Sequence, residues 1–142
     1  MLRPPQNIVA DLAGTWHNAH GSELDLTVDG QRLTGRFRSG TGLAKGRTEA
    51  DVVGFVSGNL VAFTANFGAH GSLTSWVGHL IMETREPRIH AIWNLCVDVP
   101  FGSTEELWRG TWTGADIFER GTASEERRTP STQPSHPIEL WP

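Results

Sequence analysis

The chain has 142 residues, a length that suits one domain whose core needs no metal or disulfide to hold it together. Charged residues make up 20% of the sequence and the net charge is −4, which argues against nucleic-acid binding because such proteins usually carry a basic face. A single cysteine, Cys96, excludes an intrachain disulfide framework and a zinc site built from cysteines.

Composition changes along the chain and predicts three segments. Residues 1–12 carry two prolines and little pattern, so we expect a loose leader. Residues 13–118 alternate apolar and polar side chains in short bursts, which is typical of a packed β domain. Residues 119–142 are charged and then rich in proline, so we expect a flexible tail, although its end, Ile138-Glu139-Leu140-Trp141, is apolar. No apolar run approaches the roughly 18 residues of a membrane span, and the first residues lack the apolar stretch of a signal peptide.

The body of the chain contains eight candidate strands, separated by turn signals, and no long helical pattern. The strands are predicted at residues 14–18, 23–28, 32–38, 49–56, 60–67, 73–83, 88–97 and 106–118. Asp29-Gly30 and Ser57-Gly58-Asn59 predict tight hairpin turns, because these residue types tolerate positive φ. Both faces of the sixth strand are partly apolar, which suggests that its outer face packs against a partner.

This spacing predicts an all-β fold, an eight-stranded antiparallel up-and-down β-barrel with a ligand pocket at one open end. Eight strands leave an interior just wide enough for one small ligand. A β-sandwich is the alternative architecture for the same pattern.

Enzyme and metal signatures are weak. The glycine-rich stretch at residues 40–46 lacks the Lys-Ser/Thr ending and the helix of a phosphate loop. His17 and His20 lie three residues apart, a spacing that does not place them on one face of a strand, and His79 and His90 are isolated. We therefore expect no metal site and no catalytic residues.

Cys96 lies in an apolar strand and is interpreted as a small buried side chain rather than a nucleophile. Tryptophans near small hydroxyl residues remain as a pattern, and each such pair taken alone indicates core packing more than a binding site. The pairs involve Trp16, Trp76, Trp93 and Trp108.

Five short segments, each weak alone, form a stronger pattern because they occur in one order across residues 13–118. They are Gly14-Thr15-Trp16-His17-Asn18 followed by Gly21-Ser22, Leu33-Thr34-Gly35-Arg36-Phe37, Thr74-Ser75-Trp76-Val77-Gly78, Arg88-Ile89-His90-Ala91-Ile92-Trp93, and Trp108 with Gly114-Ala115-Asp116-Ile117-Phe118. In this order they resemble the avidin and streptavidin family. That resemblance implies the same eight-stranded barrel, with one biotin at the open end of each barrel and no reaction catalysed.

The resemblance also implies roles for individual residues. Asn18 and Ser22 would donate to the ureido oxygen of biotin, and Asp116 and Ser39 would accept its two N–H groups. Thr74 would contact the sulfur of biotin, and Ser72 and the backbone of the loop with Thr41 and Leu43 would bind its carboxylate. The rings of biotin would be contacted by Phe67, Trp76, Trp93 and Leu95.

Two positions depart from the family pattern. Phe37 stands where the family usually has a tyrosine, and the chain contains no tyrosine at all, so a third donor to the ureido oxygen is missing. Phe67 stands where a tryptophan is usual, which keeps that wall aromatic but smaller.

Family resemblance implies assembly and location as well. We expect a homo-oligomer, a tetramer or otherwise a dimer, in which Trp108 lids a neighbouring site. Secretion or a periplasmic location is implied, and the C-terminal tail is expected to dock in a barrel mouth, most simply a neighbour's. We expect no cofactor apart from biotin as the ligand, no nucleic acid and no membrane among the partners.

Two other functions remain open. The first is an avidin-like barrel with weakened biotin affinity that binds a peptide or another small ligand, which the missing tyrosine favours. The second is a small barrel enzyme that uses Asp116 with a histidine, although no spacing in the sequence indicates that such a pair faces one cavity.

Overall fold

The computed structural model describes residues 12–40, 48–82, 86–99 and 109–123, and these residues form a β-barrel. Its strands are β1 (Gly14–His17), β2 (Glu23–Asp29), β3 (Arg32–Arg38), β4 (Glu49–Ser57), β5 (Leu60–Phe67), β6 (Ser72–Ile81), β7 (Arg88–Val97) and β8 (Thr111–Arg120). A short 3₁₀ turn, Gly68–His70, connects β5 to β6.

The strands follow one another around the barrel in chain order, and every neighbouring pair is antiparallel. The barrel closes because β8 pairs with β1, with Trp16 opposite Arg120 and His17 opposite Glu119. The predicted up-and-down barrel is therefore confirmed, and the sandwich alternative is wrong.

Alternation of side chains decides what fills the barrel. Along β7, for example, Ile89, Ala91, Trp93 and Leu95 point inward and are buried, while the residues between them face outward. Cys96 lies on the outward side and is exposed, so the expectation of a buried cysteine is wrong. The period of two assigns it to the surface, although its neighbours in sequence are apolar.

The two hairpins expected from glycine-containing turns are present. Gly30 and Gly58 have φ values of 62° and 59°, a left-handed conformation that glycine adopts without strain. They join β2 to β3 and β4 to β5, and they keep these strand pairs in the register that buries their apolar side chains.

Two predicted strands differ from the observed ones by two or more residues at an end, and the first, second and fourth differ by one residue. The last strand begins at Thr111 rather than at residue 106, because its pairing with β7 starts opposite Cys96, and it continues to Arg120 because it also pairs with β1. The sixth strand begins one residue earlier than predicted and ends at Ile81. Residues 83 and 106–108 of these predictions lie outside the described residues.

Where the chain enters the barrel, Leu12 is fully buried, although it was expected to belong to the leader. The indole Nε1 of Trp16 donates to the Leu12 carbonyl at 2.9 Å. Arg120 lies over the Trp16 ring and donates to the carbonyl of Ala13 at 2.7 Å. These contacts join the start of β1 to the end of β8.

One side of the outer surface carries charged pairs. Arg36 on β3 pairs with Asp51 and Glu49 on β4, and Arg38 pairs with Asp25 on β2. Such exposed pairs each contribute little to stability, but they keep this side of the barrel well solvated.

The other side of the outer surface is apolar. A row of directly opposed residues crosses five strands, from Phe55 through Ala62, Val77 and Ile92 to Ala115. We call this row the apolar stripe. Phe55, Val77 and Ile92 are each more than 60% exposed. This is an unusually large apolar area to be in contact with water.

His79 and His90 lie directly opposite each other on β6 and β7, beside this stripe. The expectation that each histidine stands alone is therefore wrong, because the antiparallel register brings the two together.

Candidate functional site

The site is built around Asp116, a buried carboxylate on the inner face of β8. Its Oδ2 accepts a hydrogen bond from the indole Nε1 of Trp76 at 3.0 Å and a longer one from Nδ2 of Asn18 at 3.4 Å. Strands β6 and β8 and the end of β1 thus bring together three residues that are far apart in sequence, and all three were predicted site residues.

The turn between β1 and β2 fixes the orientation of Asn18. Its side-chain Oδ1 accepts from the backbone N–H groups of His20 at 3.0 Å and Ser22 at 3.1 Å. Because the oxygen is held by the turn, the amide nitrogen is the end that faces Asp116. Asn18 therefore presents donor hydrogens to the barrel interior.

Ser22 and Ser39 are buried beside this turn. The hydroxyl oxygen of Ser22 accepts from the backbone N–H of Gly40 at 3.0 Å, and Ser39 donates its backbone N–H to the carbonyl of Thr48 at 2.8 Å. The β1–β2 turn and the end of β3 are thereby joined next to Asn18.

Aromatic side chains form the interior wall. The rings of Phe37 and Trp76 lie 5.0 Å apart, and Phe37 meets Phe67 edge-on at 5.9 Å. Phe63 stacks on Trp76, with the two ring centroids 5.1 Å apart. Rings packed in this way exclude water and strengthen the polar interactions beside them.

Trp93 completes the wall from β7, and a glycine on β8 makes room for it. A Cβ built on Gly114 would lie only 2.5 Å from Cζ2 of Trp93, so any side chain at that position displaces the indole. Gly114 is thus required by the close approach of the ring rather than by its backbone conformation.

The remaining predicted site residues fall into two groups. Thr74, Ser72, Phe67 and Leu95 are buried on the inner faces of β5, β6 and β7, and the hydroxyl of Thr74 has no hydrogen-bond partner within the described part of the chain. Thr41, Leu43 and Trp108 lie outside the described residues.

Burial raises the pKa of Asp116 to about 6, against the lowering effect of the hydrogen bonds from Trp76 and Asn18. The two donors are neutral, so they offset only part of the cost of removing a carboxylate from water. The site holds an acceptor that is able to change protonation near neutral pH.

His20 was missed by the sequence interpretation. Its Nε2 lies 3.8 Å from Oδ1 of Asp116, on the oxygen that Trp76 and Asn18 do not use. The expectation that no titratable pair faces the cavity is therefore wrong. The β1–β2 turn folds back over the barrel end, which the strand periodicity used for the prediction could not reveal.

Chemically, this end of the barrel offers a carboxylate acceptor, amide and hydroxyl donors, and aromatic surfaces in a nearly dry space. Such a set suits a flat, uncharged group that carries both a carbonyl oxygen and N–H donors. Within the ranges that the structure describes, no three side chains of the metal-ligating types come together.

Comparisons with known proteins agree with this architecture. The Avidin family profile matches residues 6–121. No curated protein sequence matches the chain significantly. Among the described residues, no helix has the length and apolarity that a membrane crossing requires.

Solved structures show the same fold. Xenavidin is 24% identical with a TM-score of 0.67, and the alignment covers 77% of this chain and 96% of xenavidin. A rhizavidin–biotin complex is 22% identical with a TM-score of 0.63, and the alignment covers 81% of this chain and 97% of rhizavidin. Apo shwanavidin is 25% identical with a TM-score of 0.64, and the alignment covers 78% of this chain and 97% of shwanavidin. Because the family profile spans most of the sequence and the barrel has the same topology, the chain belongs to the avidin family.

Proposed function

We propose that this protein binds biotin, without catalysing a reaction, at the barrel end that contains Asp116. The observation that carries the proposal is the buried carboxylate of Asp116, held by Trp76 and Asn18 beside a wall of aromatic rings. Two avidin-family neighbours, rhizavidin and a shwanavidin variant, were solved as biotin complexes. Tight binding of a vitamin would make the protein a sequestering agent.

The ureido group of biotin matches the polar end of the site. Asn18 and Ser22 donate to the ureido oxygen, while Asp116 and Ser39 accept the two ureido N–H groups. The fixed orientation of Asn18 supports its role as a donor, because its oxygen is already engaged by two backbone N–H groups. Pairing every polar group matters here, since an unpaired buried one costs about 1–3 kcal/mol.

The rest of biotin matches the apolar wall. The rings are contacted by Phe67, Trp76, Trp93 and Leu95. The hydroxyl of Thr74 contacts the thioether sulfur. The absence of a hydrogen-bond partner for this hydroxyl within the described residues supports that role. Ser72 and the backbone of the loop that contains Thr41 and Leu43 bind the valeryl carboxylate.

Affinity is lower than it would be with a tyrosine at position 37. Phe37 is fully buried against Trp76 and has no hydroxyl to donate to the ureido oxygen. The loss of one neutral donor weakens binding by about 1–3 kcal/mol. We still expect specific binding, because the four other ureido partners are retained.

Capture on biotin-agarose, with free biotin as the competitor, tests the proposal. We expect retention that free biotin abolishes. A protein that passes through the resin would favour the alternative of an avidin-like barrel for a peptide or another small ligand. Recovery of chemically altered biotin after incubation would favour the enzyme alternative.

We also propose that a second copy of this chain covers the apolar stripe. Three large side chains in one row, Phe55, Val77 and Ile92, are exposed in the single chain, and they border a groove of about 600 Å³. A tetramer, or otherwise a dimer, would remove this surface from water. In such an assembly Trp108 would lid the neighbouring biotin site.

Light scattering at micromolar concentration tests the assembly. The wild type should exceed the monomer mass, and Val77→Arg should reduce it, because a charge cannot be buried unpaired against a second apolar stripe. Thr27→Arg, an exposed position on β2, is the matched control and should leave the mass unchanged. A monomeric wild type would contradict both the assembly and the shared lid.

We further propose that the C-terminal tail docks in a barrel mouth, most simply a neighbour's, when biotin is absent. Its apolar end, Ile138 to Trp141, would gain about 25 cal/mol for each Å² that it buries, and the tether raises its effective concentration. Deletion of residues 129–142 should speed biotin association and leave the dissociation rate unchanged. Identical association rates would dispose of this docking.

Membership of the avidin family supports a secreted or periplasmic location, which we propose for this protein. Fractionation of the source cells, with detection by an antibody to the chain, tests it. Protein found in the medium or periplasm is the expected result, and protein found only in the cytosol would contradict it.

A further inference from the structure

His20 places a titratable ring against the central carboxylate of the site. Its Nε2 is 3.8 Å from Oδ1 of Asp116, and its side chain is only 9% exposed. That distance is too long for a hydrogen bond but short enough for a strong charge interaction in a dry environment. The charge of either residue therefore affects the protonation of the other.

Other charged groups near the turn are engaged elsewhere. The imidazole Nδ1 of His17 contacts the carbonyl of Gly121 at 2.9 Å, and Glu23 accepts from the backbone N–H of Ala123 and lies near Arg38. Arg120 lies over Trp16. On β7, the residue opposite Asp116 is Ala91, and His90 beside it is exposed on the outer face. Among the described residues, His20 is thus the cationic group that can pair with Asp116.

We propose that His20 is a positioning residue that takes up the proton of Asp116 when a cyclic urea binds, and this rests on the proposed biotin site. In the empty site at pH 5.5 the pair holds one proton, on either residue. An ionised carboxylate accepts a ureido N–H more strongly than a neutral carboxyl does, so binding favours Asp116 as the carboxylate and His20 as the imidazolium. The proton stays within the pair and none is released to solvent.

Without His20 the proton must leave the protein. Burial raises the pKa of Asp116 to about 6, so at pH 5.5 the carboxyl of an unpaired Asp116 is about three-quarters protonated. Each biotin that binds would then release that fraction of a proton, and affinity would fall as the pH falls below 6. With His20 present, affinity is nearly constant across this range.

Calorimetry of biotin binding at pH 5.5, in two buffers of different ionisation enthalpy, counts the released protons. We expect close to none for the wild type and about three-quarters of a proton for His20→Gln, which keeps a polar side chain of similar size but cannot become charged. His70→Gln changes an exposed histidine in the 3₁₀ turn and should match the wild type.

The possible results separate the two proposals. Equal proton release from the wild type and His20→Gln, with biotin bound by both, overturns the role of His20 alone. No biotin heat from the wild type overturns the biotin site, and this inference with it.

An NMR titration of the wild type needs no variant. The imidazole of His20 should titrate at a higher pH in the biotin complex than in the free protein, because the complex keeps Asp116 ionised beside it. A shift to lower pH, or no shift, would overturn the proposed proton transfer.

Discussion

Two aspartates in this barrel have opposite environments. Asp25, on the outer surface of β2, accepts from Arg38 at 2.8 Å and from Thr15 at 2.7 Å, and its side chain is 43% exposed. The hydrogen bond from Arg38 lowers the pKa of Asp25, and this effect outweighs the opposing effect of partial burial. Asp116 lies inside the barrel, where burial raises its pKa to about 6.

These environments decide what each carboxylate is able to do. The outer carboxylate is matched by a cation of its own protein, so its charge is satisfied without any ligand. The inner one has neutral donors on Oδ2, while Oδ1 faces His20 at 3.8 Å. An acceptor that is desolvated but not neutralised is suited to bind an N–H group, and it costs stability until a ligand arrives.

Removal of the inner polar groups has the largest expected effect. Asp116→Ala and Asn18→Ala should each weaken biotin binding by several kcal/mol, about 100-fold or more, because each removes a ureido partner and leaves its mate unpaired in a dry site. Asp25→Ala, which removes the outer carboxylate, should bind biotin as the wild type does. Biotin dissociation rates measure all three variants, and unchanged rates for Asp116→Ala would contradict the site assignment.

The same comparison predicts opposite effects of pH on the unliganded fold. The pKa of Asp116 is higher in the folded than in the unfolded chain, so its ionisation destabilises the fold as the pH rises through about 6. Asp116→Asn should therefore stabilise the unliganded protein at pH 7.5, by up to about 3 kcal/mol.

Asp25 acts in the other direction. Its lowered pKa contributes stability above about pH 4, and this contribution is lost as the pH falls through its folded pKa. Denaturant unfolding of the wild type, Asp116→Asn and Asp25→Asn at pH 7.5 measures both effects. A less stable Asp116→Asn would show that the protein already compensates the buried charge of Asp116 when no ligand is bound.

The aromatic wall permits a finer test. Gly114→Ala should push the indole of Trp93 inward, since the new methyl carbon would lie 2.5 Å from it, and overpacking of this kind costs about 1–3 kcal/mol. Faster biotin dissociation and altered tryptophan fluorescence are expected. Thr34→Val, at an exposed position on the outer face of β3, should change neither, and normal dissociation in Gly114→Ala would show that the ring has room to move.

The smallest expected effect is a gain in biotin affinity. Phe37→Tyr supplies a hydroxyl beside the ureido oxygen and should tighten biotin binding by about 1 kcal/mol, or about fivefold, if the packed ring leaves room for it. Thr27→Tyr adds a phenol hydroxyl at an exposed position on the outer face of β2 and serves as the control. Unchanged affinity in Phe37→Tyr would mean that another group already serves the ureido oxygen.

Much of the fold could be predicted because it depends on local patterns. Alternation in the strands assigned inner and outer faces, and glycine-containing turns at Gly30 and Gly58 set the hairpins. The limits of β8 could not be predicted in this way. They depend on where pairing with β7 begins and on the closure with β1, and neither partner is visible in the segment itself.

The candidate site, like the fold, could be predicted from the sequence only in part. Asn18, Trp76 and Asp116 were expected from their segments, and the structure places Asn18 and Trp76 within hydrogen-bond distance of Asp116. His20 was missed because its position depends on the β1–β2 turn, which folds onto the barrel end through the Asn18 side chain. A histidine two residues after Asn18, in a turn rather than a strand, was the available signal.

A crystal structure of the chain grown with biotin shows most directly whether Asp116 binds the ureido group. We expect one biotin inside each barrel, with a ureido N–H within about 3 Å of the Asp116 carboxylate and the ureido oxygen facing Asn18 and Ser22. Biotin bound elsewhere on the protein, or a barrel that stays empty at saturating biotin, would contradict this expectation.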